Sequence, residues 1–303
     1  MIDLSQISKH IKPPTDQVGL LQAQRLFHGR GHAYNNLHHV TIDWLPPVIL
    51  ITLFSPEDDC EVLALADYLH GQLPNCKSIQ VQKRHELAGP INTLKGESIE
   101  QLVIQENDLK FNISLGKSRN TGLFLDMRNG RQWVQKNAQG KRILNLFSYT
   151  CGFSVAAIAG NAKSVLNVDM SSAALNVGRE NHRLNQQPLD HVKFEKLDIF
   201  KSFSRFKKRG PFDLLICDPP TFQKGSVDIN RDYPKILRRL DQFMAADATL
   251  ILCLNAPELK RDFLLDYMAD LAPSYRYSEE IKAPKVFVEA ENKGLKVLCF
   301  KGA

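Results

Sequence analysis

The chain has 303 residues, room for roughly two domains at about 150 residues each. With 43% hydrophobic and 24% charged residues it is neither a disordered tail, a collagen nor a disulfide scaffold. Its net charge of +6 is uneven: residues 1–118 carry 10 Lys+Arg against 13 Asp+Glu, and residues 119–303 carry 29 against 20. A basic second part suits a polyanionic partner, or equally a solvated basic surface.

The six cysteines stand singly with no CxxC, which argues against a zinc knuckle or a redox pair. Cys217, Cys253 and Cys299 sit in apolar runs and read as buried free thiols, as in a reducing cytosol. The most apolar stretch, 46–54, is nine residues long and opens with two prolines. A membrane helix needs about 20. The N-terminus lacks the apolar core of a secretion signal. The expected location is cytoplasmic, with no membrane partner.

In chain order, residues 48–54 read as a strand and 58–71 as a helix, with Val62, Leu65, Ala66 and Leu69 on one face. Residues 78–83 and 109–115 alternate like half-buried strands. Together they predict a small α+β domain over 1–118, closed by the turn-rich Ser118-Arg119-Asn120-Thr121-Gly122. The pattern then changes. Short apolar strands are expected at 143–147, 164–169, 192–197, 212–217 and 248–255. Helices are expected between them, at 153–160, from Ser171 or Ser172 to about 185, and around 233–243. Two last strands are expected near 285–289 and 295–300. Apolar strands alternating with helices predict an α/β domain over 119–303, built on a mainly parallel sheet.

In such sheets ligands bind beyond the carboxyl ends of the strands. Here those ends carry Asn145 to Gly152, Asp169, Asp198 and Asp218-Pro219-Pro220. Asp169 lies about 20 residues past the first strand end, the spacing of an acid that accepts ribose hydroxyls. The loop has one glycine, Gly152, and no GxGxxG for a pyrophosphate. A ribose-bearing cofactor without phosphates fits best, and S-adenosylmethionine is the common one. Asp198 would then accept the adenine amino group. Singly, each acid also reads as a helix cap or turn residue. Pro219-Pro220 removes two backbone donors and stiffens the loop. It could hold a flat base facing a methyl donor, with Phe222 stacked on that base. A tight strand-exit turn is the alternative.

Several segments together resemble the bacterial methyltransferases that modify bases of large-subunit ribosomal RNA. They are Thr121-Gly122-Leu123-Phe124-Leu125-Asp126-Met127-Arg128, Leu144-Asn145-Leu146-Phe147-Ser148-Tyr149-Thr150, Val168-Asp169-Met170-Ser171 and Asp218-Pro219-Pro220-Thr221-Phe222. The resemblance is strong over 121–255 and weaker over 25–115. It implies a Rossmann-like class I methyltransferase domain after a small α+β domain that helps present substrate. Phe124, Asp126 and Arg128 would flank the cofactor, with Asn145 and Met170 in the same motifs. Phe147, Ser148, Tyr149 and Thr150 would surround its methionine part. Asp169 would hold the ribose, Asp198 the adenine, and Asp218 would face the target base. The family commonly has a second glycine where Cys151 stands, and its separate RNA-binding appendages have no counterpart here.

In the 5-methylcytosine branch of that family a nucleophilic cysteine follows the fifth strand. Here that position is Asn255, as in the 7-methylguanine branch, while Cys253 lies two residues earlier inside an apolar run. A base nitrogen, whose lone pair attacks the methyl directly, is therefore the favoured target, most readily in ribosomal RNA. Asn255 could hold a purine edge. Covalent 5-methylcytosine chemistry, a nicotinamide oxidoreductase and a non-catalytic RNA-binding protein remain as alternatives.

Arg231, Lys235, Arg238 and Arg239 fall at i, i+4, i+7 and i+8 on one helical face and could contact RNA phosphates, or form a solvated face. Lys201, Arg205, Lys207, Lys208 and Arg209 form a second cluster. The histidines at 28, 32, 38 and 39 lack the spacing of a metal site and suggest an RNA-contacting or interdomain loop. No metal is expected.

Overall fold

A computed structural model describes residues 2–220, 222–223, 227–256, 258–291 and 294–302. The chain divides into two compact units, Met1–Leu125 with Pro284–Ala290, and Asp126–Ala283 with Glu291–Ala303. The expected boundary lay at 118/119 and left 284–290 in the second domain. Among the described residues, no helix is long and apolar enough to cross a membrane.

The first unit holds a five-stranded sheet in the order β1 (Gln24–His28), β2 (Val40–Leu45), β3 (Val48–Leu53), β4 (Ser78–Lys83), β5 (Ile91–Gly96). Only β3 and β4 pair in parallel, and helix α1 (Asp59–Gln72) is the crossover between them. Asp58 caps α1, its Oδ1 accepting from the Cys60 amide at 2.8 Å. Val62, Leu65, Ala66 and Leu69 of α1 pack with Trp44, Ile49, Ile51 and Val81 of the sheet. A separate hairpin joins β6 (Gln101–Glu106) to β7 (Leu109–Ser114) through Asn107 at φ 53°. The left-handed conformation of Asn107 suits the tight two-residue turn. Residues 285–289 are not a strand of the second unit. Phe287 packs on His28, and the Ala290 amide donates to the Gly31 carbonyl, so this segment returns to the first unit.

The second unit begins with α2 (Arg128–Asn137). β8 (Arg142–Leu146), α3 (Gly152–Ala159), β9 (Ser164–Asp169), α4 (Ser172–Leu184) and β10 (Val192–Lys196) follow. Next come α5 (Phe203–Arg209), β11 (Phe212–Cys217), α6 (Ile229–Leu237), β12 (Met244–Leu254), α7 (Asp262–Leu271), β13 (Tyr275–Glu280) and β14 (Lys296–Gly302). Its sheet has the order β10-β9-β8-β11-β12-β14-β13, parallel through β12 and antiparallel on both sides of β14. Alternate residues feed two apolar layers. Leu144, Leu215, Cys217, Leu250 and Leu252 face α6 and Phe243, while Ile143, Leu214, Ile216, Ile251 and Cys253 face Val134 and Phe153. The fold is the expected Rossmann-like α/β arrangement.

Candidate active site

Five parallel strands end along one edge of the second sheet, and the motif residues follow those ends. After β8 the chain makes an irregular loop in which Phe147, Tyr149 and Cys151 have φ of 56°, 46° and 62°. Positive φ at a bulky side chain costs on the order of 1–3 kcal/mol each and persists only where the surroundings enforce it. Asp169, at the end of β9, is one enforcer. Its Oδ2 accepts the Tyr149 amide at 2.9 Å and its Oδ1 the Ser171 amide at 2.8 Å. The Asn181 amide group on α4 donates to the Thr150 carbonyl at 3.0 Å. Cys151 is fully buried where α4 comes closest: a Cβ on Gly178 would lie 2.5 Å from its sulfur. Burial pushes the Cys151 thiol up to about 12.

Beneath the loop runs a buried polar chain. Asn145 Nδ2 donates to Asn167 Oδ1 at 2.8 Å, Asn167 Nδ2 donates to Ser154 Oγ at 2.9 Å, and Ser154 meets His182 Nε2 at 2.9 Å. Asn145 is 1% exposed, so the sheet interior occupies a side chain that was expected on the cofactor. His182, pushed down to about 4 by burial, is a neutral member of this brace. In contrast Ser148 Oγ is buried and has no partner within hydrogen-bonding geometry among the described residues, although the nearby Cys151 thiol, raised chiefly by burial, is drawn down by it. Met170 is 50% exposed beside Asp169. Phe147 is half-buried, 6.2 Å from the Phe200 ring. Asp198 behaves as a cap: Oδ1 accepts the Phe200 amide at 2.9 Å and Oδ2 lies 3.5 Å from Lys201 Nζ.

The second feature of the edge is Asp218, partly buried after β11. Its carboxyl is raised to about 7, chiefly by burial, then by the charge of Asp126, with Arg131 acting the other way. Arg131 is 4% exposed on α2 and was not singled out in the sequence. The signal was there: it lies on the stripe Met127, Arg131, Val134, Ala138, a charge at an otherwise apolar helical position. Arg128 opens α2, while Phe124 is exposed and falls at the end of the first unit. Pro219 is buried and Pro220 half-buried. Under this loop Tyr233 donates its hydroxyl to the carbonyls of Cys217 at 3.3 Å and Cys253 at 3.1 Å, tying the ends of β11 and β12. Asn255 is exposed just beyond β12. Thr221 lies outside the described residues, and Phe222 is described only by its backbone pairing with Asp228.

Several side chains of the two basic clusters expected to contact phosphates make other contacts. Arg231 and Lys235 both pair with the buried Asp232, at 2.7 Å each. Helix α6 ends at Leu237 with Arg238 as its C-cap, and Arg239, past the helix, lies over Phe203 at 4.7 Å. Arg205 and Arg209 pair with Glu195. They line a cleft of about 630 Å³ with Arg142, Lys193, Lys208 and Phe212, at the amino ends of the strands, opposite the motif edge. Among the histidines, His32 stacks on His38 at 5.3 Å and His39 lies 2.7 Å from Glu57. Burial, with Arg25 and Arg30 nearby, pushes His28 down to about 3.

A family described as S-adenosylmethionine-dependent methyltransferase matches residues 24–301. Ribosomal RNA large subunit methyltransferase I of Erwinia tasmaniensis is 30% identical over 279 residues, covering 86% of this chain and 69% of that protein. Ribosomal RNA large subunit methyltransferase K of Neisseria meningitidis serogroup B is 34% identical over 240 residues, 77% of this chain and 65% of that protein. A methyltransferase solved in complex with SAH has a TM-score of 0.84 at 25% identity, covering 93% of this chain and 76% of that one. The chain spans between 50% and 69% of the length of the curated relatives it matches.

Proposed function

The chain belongs to the S-adenosylmethionine-dependent methyltransferases, and from that premise we propose that it methylates a nucleobase nitrogen in RNA, with large-subunit ribosomal RNA as the substrate and the cytoplasm as the place. The observation that carries this is the shared edge, where a cofactor loop tied to Asp169 neighbours a partly buried, charge-perturbed Asp218. The naming of the relatives supports the substrate class.

The donor set fits S-adenosylmethionine. Each oxygen of Asp169 accepts one amide and retains a second lone pair for a ribose hydroxyl. Ser148 Oγ is a buried polar atom awaiting a partner. Phe147 and Met170 offer apolar surface for the adenine and the methionine chain. Asp198, half-exposed as a cap, accepts the adenine amino group. Gly152 starts α3, whose first-turn amides suit a carboxylate. Thr150 and Tyr149 shape the loop around it, and Asp126 and Arg128, which open the same unit, close its side. When bound, the cofactor supplies a methyl group on a sulfonium sulfur. The protein's task is then alignment and exclusion of water. Pro219 and Pro220, which donate no backbone hydrogen bond, stiffen the loop that receives a base edge; the stacking expected of Phe222 falls on a side chain outside the described residues. The Asp218 carboxylate accepts a hydrogen bond from the amino or ring N–H of the target. Asn255 holds the far edge of the base. A thiol route to 5-methylcytosine is disfavoured because Cys253 is fully buried, with its thiol raised far above the normal range.

The deciding experiment is nucleoside mass spectrometry of ribosomal RNA from cells with and without the protein. Loss of one N-methylated nucleoside, restored by the wild-type chain and not by D218A, is the expected result. An unchanged nucleoside profile refutes the reading.

A further inference from the structure

The first unit carries a basic centre of its own. Strand β1 runs antiparallel to β2, β2 antiparallel to β3, and β3 parallel to β4. β1, β3 and β4 therefore run in one direction and end at one edge. The residues just past those ends are Arg30, Phe54 and Arg84. They meet: the Arg30 guanidinium lies 4.4 Å from the Phe54 ring centre and that of Arg84 lies 5.6 Å from it. Arg119 joins them, donating from Nη2 to the Arg84 carbonyl at 3.1 Å and to the Glu86 carbonyl at 3.4 Å. Arg84 in turn donates to Asn120 Oδ1 at 3.1 Å.

Three guanidiniums are thus held together by an aromatic ring and neutral carbonyls. None of them makes an ion pair among the described residues. Glu86, the acid of that turn, has its carboxylate 3.7 Å from His85 instead. The crowding is felt: Arg84 is lowered from its ordinary value by burial and by Arg119 and Arg30. All this occurs where residues 1–118 carry more acid than base. Like charges gathered without a counter-ion raise the free energy of the free protein. An incoming anion recovers it, and arginine forks match phosphate oxygens two at a time.

We propose that Arg30, Arg84 and Arg119, braced on Phe54, bind phosphates of a single-stranded RNA backbone. This rests on the RNA reading given above. It assigns strand capture to the small unit. Phosphate contacts orient a strand without reading its bases, so the site would serve register and the crevice selection.

The test uses the full chain with R30Q, R119Q and the double variant. Arg30 is exposed and makes no hydrogen bond among the described residues, so R30Q costs its contact with the Phe54 ring; circular dichroism and thermal melting check the fold of both variants. Binding of a fluorescein-labelled oligouridylate is followed by anisotropy over a range of KCl concentrations. S-adenosylhomocysteine binding is measured alongside by calorimetry. The double variant should bind RNA about ten-fold more weakly. Its slope of log K against log salt should be shallower by about 0.7 per lost contact, with unchanged cofactor affinity. Oligothymidylate should lose affinity in parallel, since backbone phosphates are shared. Wild-type RNA affinity and slope in both single variants and the double variant overturn the site while leaving the RNA reading standing. A wild-type chain that takes up cofactor and binds no RNA overturns both.

Discussion

Asp218 is the residue on which charge, burial and chemistry meet. Its carboxyl is raised to about 7, so at neutral pH both protonation states are populated. If the carboxylate is the working form, the methyl-transfer rate should rise with pH through about 7. D126N removes a like charge and should move that rise to lower pH. R131Q removes the opposing charge and should move it higher. Rate profiles of the three proteins under saturating cofactor check the ordering. Stability follows the same shift. Between the usual carboxylate value of 3.8 and about 7, the folded state binds more protons than the unfolded one. The contribution of Asp218 to stability is therefore lost as pH rises through that window and is constant above it. D218N should flatten the pH dependence of urea unfolding by on the order of 1–3 kcal/mol. At the other end of the crevice, D169A removes the carboxylate that accepts the Tyr149 and Ser171 amides. Charge-assisted bonds of this type are worth about 1.5–3 kcal/mol. S-adenosylhomocysteine affinity should fall about 10- to 100-fold by calorimetry.

The loop after β8 and helix α4 act as one element because Gly178 lets Cys151 in. A Cβ at Gly178 would lie 2.5 Å from the Cys151 sulfur and 2.9 Å from its Cβ. G178A should destabilise the protein by about 1–3 kcal/mol and weaken cofactor binding with it. C151G removes the obstructing side chain and relieves a φ of 62° at a non-glycine residue. The double variant should then recover most of the loss. Urea unfolding of both single variants and the pair measures that coupling, and additive losses would show that the two positions do not communicate. The sequence flagged Cys151 as a bulkier residue in a glycine position. It gave no hint of where the bulk goes, because Gly178 is a distant neighbour in the chain.

At the scale of the molecule, each unit has its own apolar core. The first unit nevertheless depends on a segment from late in the chain, with Phe287 9% exposed and its ring 4.9 Å from that of His28. F287A should cost roughly 3–5 kcal/mol if the site cannot collapse. Hydrogen exchange should rise over β1 to β4 and stay unchanged over β8 to β11. Equal loss of protection in both units would mean that the two cores unfold together.

Local pattern alone determined the strand–helix alternation of the second unit. A fully buried parallel strand reads as a short apolar run, and Ser164–Asp169 and Phe212–Cys217 emerge with their observed bounds. It also determined the acids at the strand ends, since a polar residue closing an apolar run stands out. The edge strand Tyr275–Glu280 escaped because most of its side chains are exposed and no apolar alternation marks it. Tertiary structure alone decided which polar groups are spent. Asp232 neutralises Arg231 and Lys235, and Asn145 turns into the brace with Asn167. It alone gathered Arg30, Arg84 and Arg119 around Phe54 and set Arg131 against Asp218. The physical reason is range. Periodicity reports which face a side chain takes on its own element, whereas the balance of a charge depends on neighbours brought close by chain segments far apart in sequence.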